Sequence, residues 1–332
     1  MADLQLSIAM HPNARSRPVL EGRIKPDGID LLVTNAFPSE IFWRQLKFGE
    51  FDISEMSMSS LLILLASGNR DWVALPVFTT RRFFHTGMWA RNDSGVESPG
   101  DMRGKRVGVP EYQQTAALWS RGALKHEFGV DATEIEWWME RTEDVSHGGA
   151  TGFKPPPGVT LHRIPAEESM ASMLLSGKLD AALHYIAHNN LVDRSRVNLD
   201  ERADGHYLFA DRAAEGRRYF AKTGLYPINH GMVVRRSIVE KHPWVVLNLY
   251  RAFLEAKNRW LAGVFEAAEA HLDTGILAPG AGAALKRDPY PYGVVGNRTV
   301  LETIARYSHE QGLTPRVLAL DEIFPAATLS LQ

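Results

Sequence analysis

The stretch KFGEFDI at residues 47–53 returns in outline as LSGKLDA at residues 175–181, and the fold turns on that echo. In each, an apolar segment meets a glycine, one residue intervenes before an apolar one, and an aspartate follows. Glycine ends helices because it enters the left-handed region without a Cβ penalty. Both stretches therefore read as helix, stop and strand. Polar residues follow each strand: Glu55, Ser57 and Ser59 in the first case, His184, Tyr185 and Asn189 in the second. Side chains at the carboxyl ends of parallel strands border the crevice of an open α/β sheet. Two such units, far apart in the chain, predict two similar lobes facing one cleft. The plainer reading is that helix–glycine–strand junctions are common.

The flanking chain repeats the alternation. Leu4, Leu6, Ile8 and Met10 mark a strand over Leu4–Met10, followed by a polar loop, His11–Arg17. Ile29–Val33 reads as a second strand, and Ser39 as an N-cap before Ile41, Phe42 and Leu46. Val73–Val77 is a further short strand. Lys105–Val109 is another, entered through Ser98-Pro99. A helix is expected over Glu111–Phe128, with Glu111, Gln113 and Thr115 in its first turn, where free backbone N–H groups suit a carboxylate. His147–Gly158 is Gly/Pro-rich and reads as a loop. Pro243 opens a long helix, Trp244–His271, and Thr299–Gln311 is the last clear one. The class is α/β, two mostly parallel sheets flanked by helices. Crossings near 88–92 and 226–231 would divide the chain into 1–89 with 230–332 as one lobe and 90–229 as the other. Two crossings of this kind permit hinge closure around a ligand.

At 332 residues the chain has length for about two domains or lobes. It has no cysteine, which excludes disulfides, thiolate metal sites and a cysteine nucleophile. Lys and Arg number 37 against 39 Asp and Glu, so no basic field exists to draw nucleic acid or anionic lipid. The opening MADLQLSIAM has no basic and apolar leader pattern, and the longest strongly apolar run, Leu61–Ala66, is too short to span a membrane. A soluble, cytoplasmic protein is expected, unless a leader has been removed.

Several blocks resemble known sequences. SGVESPGDMRGKRVGVP (94–110), SGKLDAAL (176–183) and GMVVRRSIVEKHPWVV (231–246) are similar to segments of type II periplasmic-binding-protein folds. More specifically, FDISEMSMSS (51–60), PVFTTRRFFHTG (76–87), GKRVGVPEYQQTAALWSRG (104–122), TGLYPINHGMVVRRS (223–237) and DPYPYGVVGNR (288–298) resemble the 4,5-dihydroxyphthalate decarboxylase family, along essentially the whole chain. Two departures stand out. The loop after the first strand reads His11-Pro12-Asn13-Ala14-Arg15-Ser16-Arg17 where the family tends to show aspartate and tyrosine before an arginine, and Gln114 stands where a bulkier apolar residue is familiar. The resemblance implies a carboxy-lyase that turns a hydroxylated aromatic dicarboxylic acid into a dihydroxybenzoate and CO2, and a homo-oligomer.

Such a reaction needs no organic cofactor in principle, because a ring hydroxyl supplies the electrons. The protein must supply a proton donor, cationic clamps and phenol hydrogen bonds. Histidine suits the first and arginine the second. His230, closing the YPINH block, is the leading donor, with a hinge-ordering role as the alternative. His85 and Glu55 are the other catalytic candidates. His11, Arg15, Arg17, Arg81, Ser57, Ser59, Glu111, Gln113, Thr115, His184 and Tyr292 are candidate substrate contacts. Trp119 and Phe83 are candidate ring walls, with core packing the plainer role for Trp119. No HExxH, H-x-H or spaced acidic cluster argues for a metal, although convergence of His11, Glu55, His85 and His230 would leave a divalent ion open. No phosphate loop, dinucleotide fingerprint or nucleophile elbow is present. A solute-binding protein for a small carboxylate is the rival reading, since fold does not imply function. Another lyase, hydrolase or isomerase acting on a related ring is a third.

Overall fold

The computed structural model describes residues 3–285 and 287–332. In chain order the strands are β1 (Leu4–Met10), β2 (Ile29–Asn35), β3 (Ile53–Ser57), β4 (Trp72–Arg81), β5 (Trp89–Arg91), β6 (Arg106–Val109), β7 (Glu136–Met139), β8 (Thr160–Arg163), β9 (Ala181–Ala182), β10 (Gly205–Tyr207) and β11 (Ile228–Arg235). They form two sheets. One runs β2-β1-β3-β11-β4 and the other β10-β5-β9-β6-β7-β8. β1 is parallel to β2 and β3, while β11 is antiparallel to β3 and β4. In the second sheet β6 is parallel to β7 and β9, and β7 to β8, while β5 is antiparallel to β9 and β10.

The two echoing stretches occupy equivalent places. Gly49 ends the helix Pro38–Phe48 at φ 58°, and Gly177 has φ 76° after the helix Met170–Leu175. Asp52 then accepts the backbone N–H of Ser7 at 2.9 Å, and Asp180 that of Arg106 at 2.8 Å. Each aspartate thus pins its strand to the parallel neighbour, which explains why that residue type recurs. Of the polar residues that follow, Ser57 from the first stretch and His184 and Tyr185 from the second line the same cleft.

The helix Met58–Ala66 is apolar on all sides and its first eight residues are buried, as a helix without a polar face must be. The largest core cluster joins it to Ala116–Leu124, to Leu301, Ile304 and Tyr307, and to Val107 and Trp137 of the second sheet. The two sheets therefore share packed side chains behind the cleft. Trp119 belongs to this core and donates its indole N–H to the Ile228 carbonyl at 2.8 Å. At Gly122 a Cβ would meet the Tyr307 ring at 2.2 Å, so the approach of the last long helix, Arg298–Glu310, requires glycine there.

Three elements differ from the sequence expectation. The helix expected from Glu111 begins at Thr115, because Gln114 takes extended N-cap geometry at ψ 151°. His147–Thr151, read as loop, forms a short helix whose N-cap Ser146 accepts the Gly148 N–H. The stretch Gly275–Gly282, whose glycines and proline predict a turn-rich break, gives way to a helix over Pro279–Leu285. No described helix is long and apolar enough to cross a membrane.

Candidate active site

A cavity of about 870 Å³ opens between the carboxyl ends of the two sheets. The first sheet and its helices contribute Phe37, Ser39, Phe42, Ser57, Thr80 to Phe84, Asn229 and His230. The second contributes Gln114 to Ala116, Arg141, His147, His184 to His188, Asn198 to Asp200, Tyr207 and Arg212.

Glu55 and His230 form its most ordered polar pair. The His230 Nδ1–H donates to Glu55 Oε1 at 2.8 Å. Thr79 donates to the same oxygen at 2.6 Å, and the His11 backbone N–H to Oε2 at 3.1 Å. Burial alone would raise the Glu55 carboxyl, but the His230 hydrogen bond and charge, with Thr79 and the His11 amide, outweigh it and hold Glu55 below the usual carboxylate range. With Nδ1 committed, Nε2 is the working nitrogen. It lies 2.7 Å from the Asn229 amide nitrogen, and the Phe42 ring stands edge-on at 4.7 Å between centroids. Neighbours along a regular strand point to opposite faces. Here Asn229 and His230 reach the same cavity because the β11–β4 register slips between Ile228 and Met232, and such irregularities re-aim side chains beside functional sites.

A second, fully buried network lies beside it. Arg141 donates from Nη1 to Glu111 at 3.0 Å, from Nε and Nη2 to Asp193 at 2.7 and 3.2 Å, and from Nη2 to Ser39 at 2.7 Å. Its Nη1 also reaches His147 Nε2, whose opposite nitrogen faces Ser60 Oγ at 3.1 Å. Burial presses the His147 pKa down to about 4, with Arg141 adding to the effect against Glu111. A neutral imidazole accepting at Nε2 and donating from Nδ1 fits both contacts. Glu111, despite complete burial, is brought down to about 2 by His147, Arg141, Ser146 and the Gly148 amide.

His184 is the one described non-glycine residue in the left-handed region, at φ 55°. That conformation costs about 1 kcal/mol and collects at ligand sites. Burial, then the nearby Arg82, takes its pKa to about 3, so it faces the cavity as a neutral imidazole.

Of the residues singled out from sequence, Ser57, Arg81, Thr115, His184 and His230 line the cavity and Glu55 stands directly behind it. His11 is at the rim, its ring 6.1 Å from that of Phe37. The others are placed elsewhere. Arg15 donates to the Thr79 carbonyl at 2.7 Å and stacks on Tyr290 at 3.7 Å, and Arg17 is an exposed residue opening a short helix. The Arg81 guanidinium is turned to the Tyr226 and Pro291 carbonyls at 3.1 and 3.0 Å and to Asn297, and burial lowers its pKa to about 10. The Arg15 and Arg81 guanidinium groups are thus engaged by backbone and ring partners, and Arg17 lies outside the cavity wall. His85 is buried outside the cavity, 3.0 Å from Glu215, with its pKa lowered by burial. Glu111 and Gln113 precede the helix and bond each other inside the buried network, so neither is offered to a ligand. Ser59 is buried, and Tyr292 packs in the core behind β4 with Lys257 5.3 Å from its ring.

Besides Arg81, the arginines that line the cavity are Arg82, Arg212 and Arg141. Arg82 and Arg212 are exposed and have no carboxylate partner among the described residues; Arg212 lies over the Tyr207 ring at 4.1 Å. Arg82 directly follows the end of β4, and nothing in the sequence separates it from its neighbour Arg81. Arg212 carries no sequence signal, since the helix it opens is placed by tertiary packing.

No family model matches the chain. A 4,5-dihydroxyphthalate decarboxylase of Comamonas testosteroni is 32% identical over 332 residues, 99% of this chain and 98% of that one. One from Pseudomonas putida is 39% identical over 183 residues, 55% of this chain and 71% of that one. Among solved structures, the alkanesulfonate-binding protein SsuA from Xanthomonas axonopodis pv. citri, bound to MOPS, superposes with a TM-score of 0.56 at 15% identity, covering 98% of this chain and 99% of that one. SsuA from Escherichia coli gives 0.52 at 14% identity, covering 97% and 92%. The fold is thus that of periplasmic binding proteins, two α/β lobes about a cleft.

Proposed function

The chain belongs to the 4,5-dihydroxyphthalate decarboxylase family and is a carboxy-lyase, and from that premise we propose that its cavity takes a dihydroxyphthalate-like diacid and that His230 protonates the ring carbon that loses CO2. The observation that carries this reading is the buried Glu55–His230 pair, with Nε2 as the nitrogen left for the cavity. The electrons balance within the substrate. A hydroxyl para to the departing carboxylate pushes density into the ring, the carbon takes the proton from Nε2, and the carbon–carbon bond breaks with its pair restoring aromaticity. One proton is consumed per CO2 released, and solvent recharges the imidazole. Glu55 stabilises the imidazolium and fixes its tautomer. Asn229 serves both states, since its amide donates to a bare Nε2 and, turned over, accepts from Nε2–H.

Arg82 and Arg212 are the proposed clamps, with neutral His184 facing the ring hydroxyls. Alanine at either arginine is expected to raise KM about tenfold, the loss of one charge-assisted hydrogen bond. An unchanged KM in both single variants would remove them from binding. We propose that no cofactor is needed, because the ring is its own electron sink and the Glu55 oxygens already accept three protein donors. The deciding assay mixes purified protein with 4,5-dihydroxyphthalate and follows substrate absorbance and CO2, with and without a chelator. Release of CO2 at an unchanged rate under chelation is expected. A rise in melting temperature without product would instead favour a solute-binding protein.

A further inference from the structure

The carboxylate behind His230 is held by two residues that are not cavity walls, Thr79 directly and Arg15 through it. Glu55 lies on β3 and Thr79 on β4, and β11, which carries His230, runs between them. The Thr79 hydroxyl therefore reaches across a whole strand to donate to Glu55 Oε1 at 2.6 Å, the oxygen that also takes the His230 Nδ1–H. A break in the β4 ladder allows this. Phe78 and Thr80 pair with the consecutive residues Gly231 and His230, which leaves Thr79 between them as an extra residue with no partner in the register. Bulges of this kind re-aim a side chain and release the extra residue from the ladder. The Thr79 carbonyl is taken by Arg15 Nη2 at 2.7 Å. Arg15 comes from the loop after β1, whose His11 amide donates to the other Glu55 oxygen at 3.1 Å. Its guanidinium lies 3.7 Å from the centre of the Tyr290 ring and 5.7 Å from that of Trp260. Arg15 is buried, has no carboxylate partner among the described residues, and leaves its Nε without an acceptor. A buried cation in that state is costly to the fold. What it secures is the backbone of Thr79.

A carboxylate turns easily about its last torsion unless its oxygens are held. In Glu55 both are held, Oε1 by His230 and Thr79 and Oε2 by the His11 amide. Three donors fix the plane of the group, the plane fixes the line along which Nδ1–H donates, and that line fixes where Nε2 points. Proton transfer depends on such aim, since a misplacement of about 1 Å can cost about a hundredfold in rate. We propose that Thr79 is a positioning residue for the decarboxylation, aiming the His230 imidazole through Glu55, and that Arg15 serves the same end by fixing Thr79 in its bulge. The arginine that the sequence marks as a carboxylate clamp then orients the proton donor instead. The effect on turnover rests on the decarboxylase reading; the aiming of the imidazole does not.

The test removes the hydroxyl in two ways, as Thr79→Val, which keeps the shape, and as Thr79→Ala, which makes room. Either is expected to lower kcat for 4,5-dihydroxyphthalate about tenfold to a hundredfold while KM stays within about twofold. Thr79→Ser, which keeps the hydroxyl, should recover most of the loss. Arg15→Met should lower kcat in the same way, and Arg15→Met combined with Thr79→Val should be no slower than Thr79→Val alone, because both effects run through one contact. Circular dichroism checks that each variant is folded. Proton NMR reads the His230 N–H directly, with His230→Ala identifying its signal. That signal is expected to be sharp in the wild type, broadened in Thr79→Val and Thr79→Ala, and sharp again in Thr79→Ser. An unchanged kcat without the hydroxyl, a loss confined to KM, or no recovery in Thr79→Ser overturns the role of Thr79. Losses that multiply in the double variant overturn that of Arg15. Should the wild type release no CO2 from 4,5-dihydroxyphthalate, the decarboxylase reading falls on that measurement alone, while the NMR comparison still decides whether Thr79 aims the imidazole.

Discussion

His230→Ala abolishes turnover and leaves a folded protein. The imidazole lines the cavity, and its outward nitrogen is oriented by a buried carboxylate through the 2.8 Å contact of its Nδ1 with Glu55. A positioned general acid contributes roughly 10²–10⁴-fold to rate, and that is the expected fall in kcat. The fold should survive because Glu55 keeps Thr79 and the His11 amide as donors, so its carboxylate is not orphaned. The residual cost is about 1–3 kcal/mol for the lost hydrogen bond. Circular dichroism and a melting curve establish folding, and single-turnover CO2 release measures the chemistry apart from product loss. Glu55→Gln is the companion variant. It keeps the shape but removes the charge facing the imidazolium, so kcat falls while KM moves little. If His230→Ala kept more than about a tenth of the wild-type kcat, the proton would have to come from elsewhere.

How much of this was legible in the sequence follows from what each feature depends on. The paired helix–glycine–aspartate stretches were visible because local chemistry dictates them: a left-handed C-cap needs glycine, and an aspartate opening a strand finds the N–H of its neighbour. His230 was visible as the close of the YPINH block at an expected lobe crossing, and Glu55 as a polar residue at the end of a strand. The arginines were not separable by such signals. Arg15, Arg81 and Arg82 have similar local contexts, yet Arg15 and Arg81 are turned to backbone carbonyls behind the strands while Arg82 faces the cavity. Strand parity alone cannot decide this where the β11–β4 register slips. Glu111 was misplaced for a related reason. Its attraction to a helix N-terminus is a surface effect, and it lost to a buried partner, Arg141, which lies thirty positions on and leaves no periodic trace. His147 opens the stretch that reads as a Gly/Pro-rich loop and Arg141 precedes it in a polar segment, so nothing local announced the network they complete.

That network is where the largest loss of stability is expected. Arg141 is 1% exposed and bridges two buried carboxylates, Glu111 and Asp193. Removing it as Arg141→Ala strands both charges and is expected to cost about 3–5 kcal/mol, the penalty for breaking a buried pair from one side. Arg141→Met restores much of the packing but not the charge, so it should recover little of the loss. The dependence on pH separates charge from packing. Glu111 is held at about 2 and His147 at about 4 in the folded protein, both below their ordinary values. Each therefore adds stability that is complete above its unfolded pKa and is lost as pH falls through the folded one. The wild type should weaken first between about 6.5 and 4, as the unfolded imidazole takes a proton that folded His147 refuses, and again between about 4.3 and 2 through Glu111. Without Arg141 the Glu111 carboxyl loses a stabilising cation and its pKa rises, so mild acid neutralises it within the fold. The melting-temperature gap between wild type and Arg141→Met should accordingly narrow from pH 7.5 to pH 5 (about two and a half units, enough to titrate a raised carboxyl). A gap that stayed constant over that range would mean that Arg141 acts through shape, and the account of Glu111 and Asp193 as a buried anionic pair held by one guanidinium would fail.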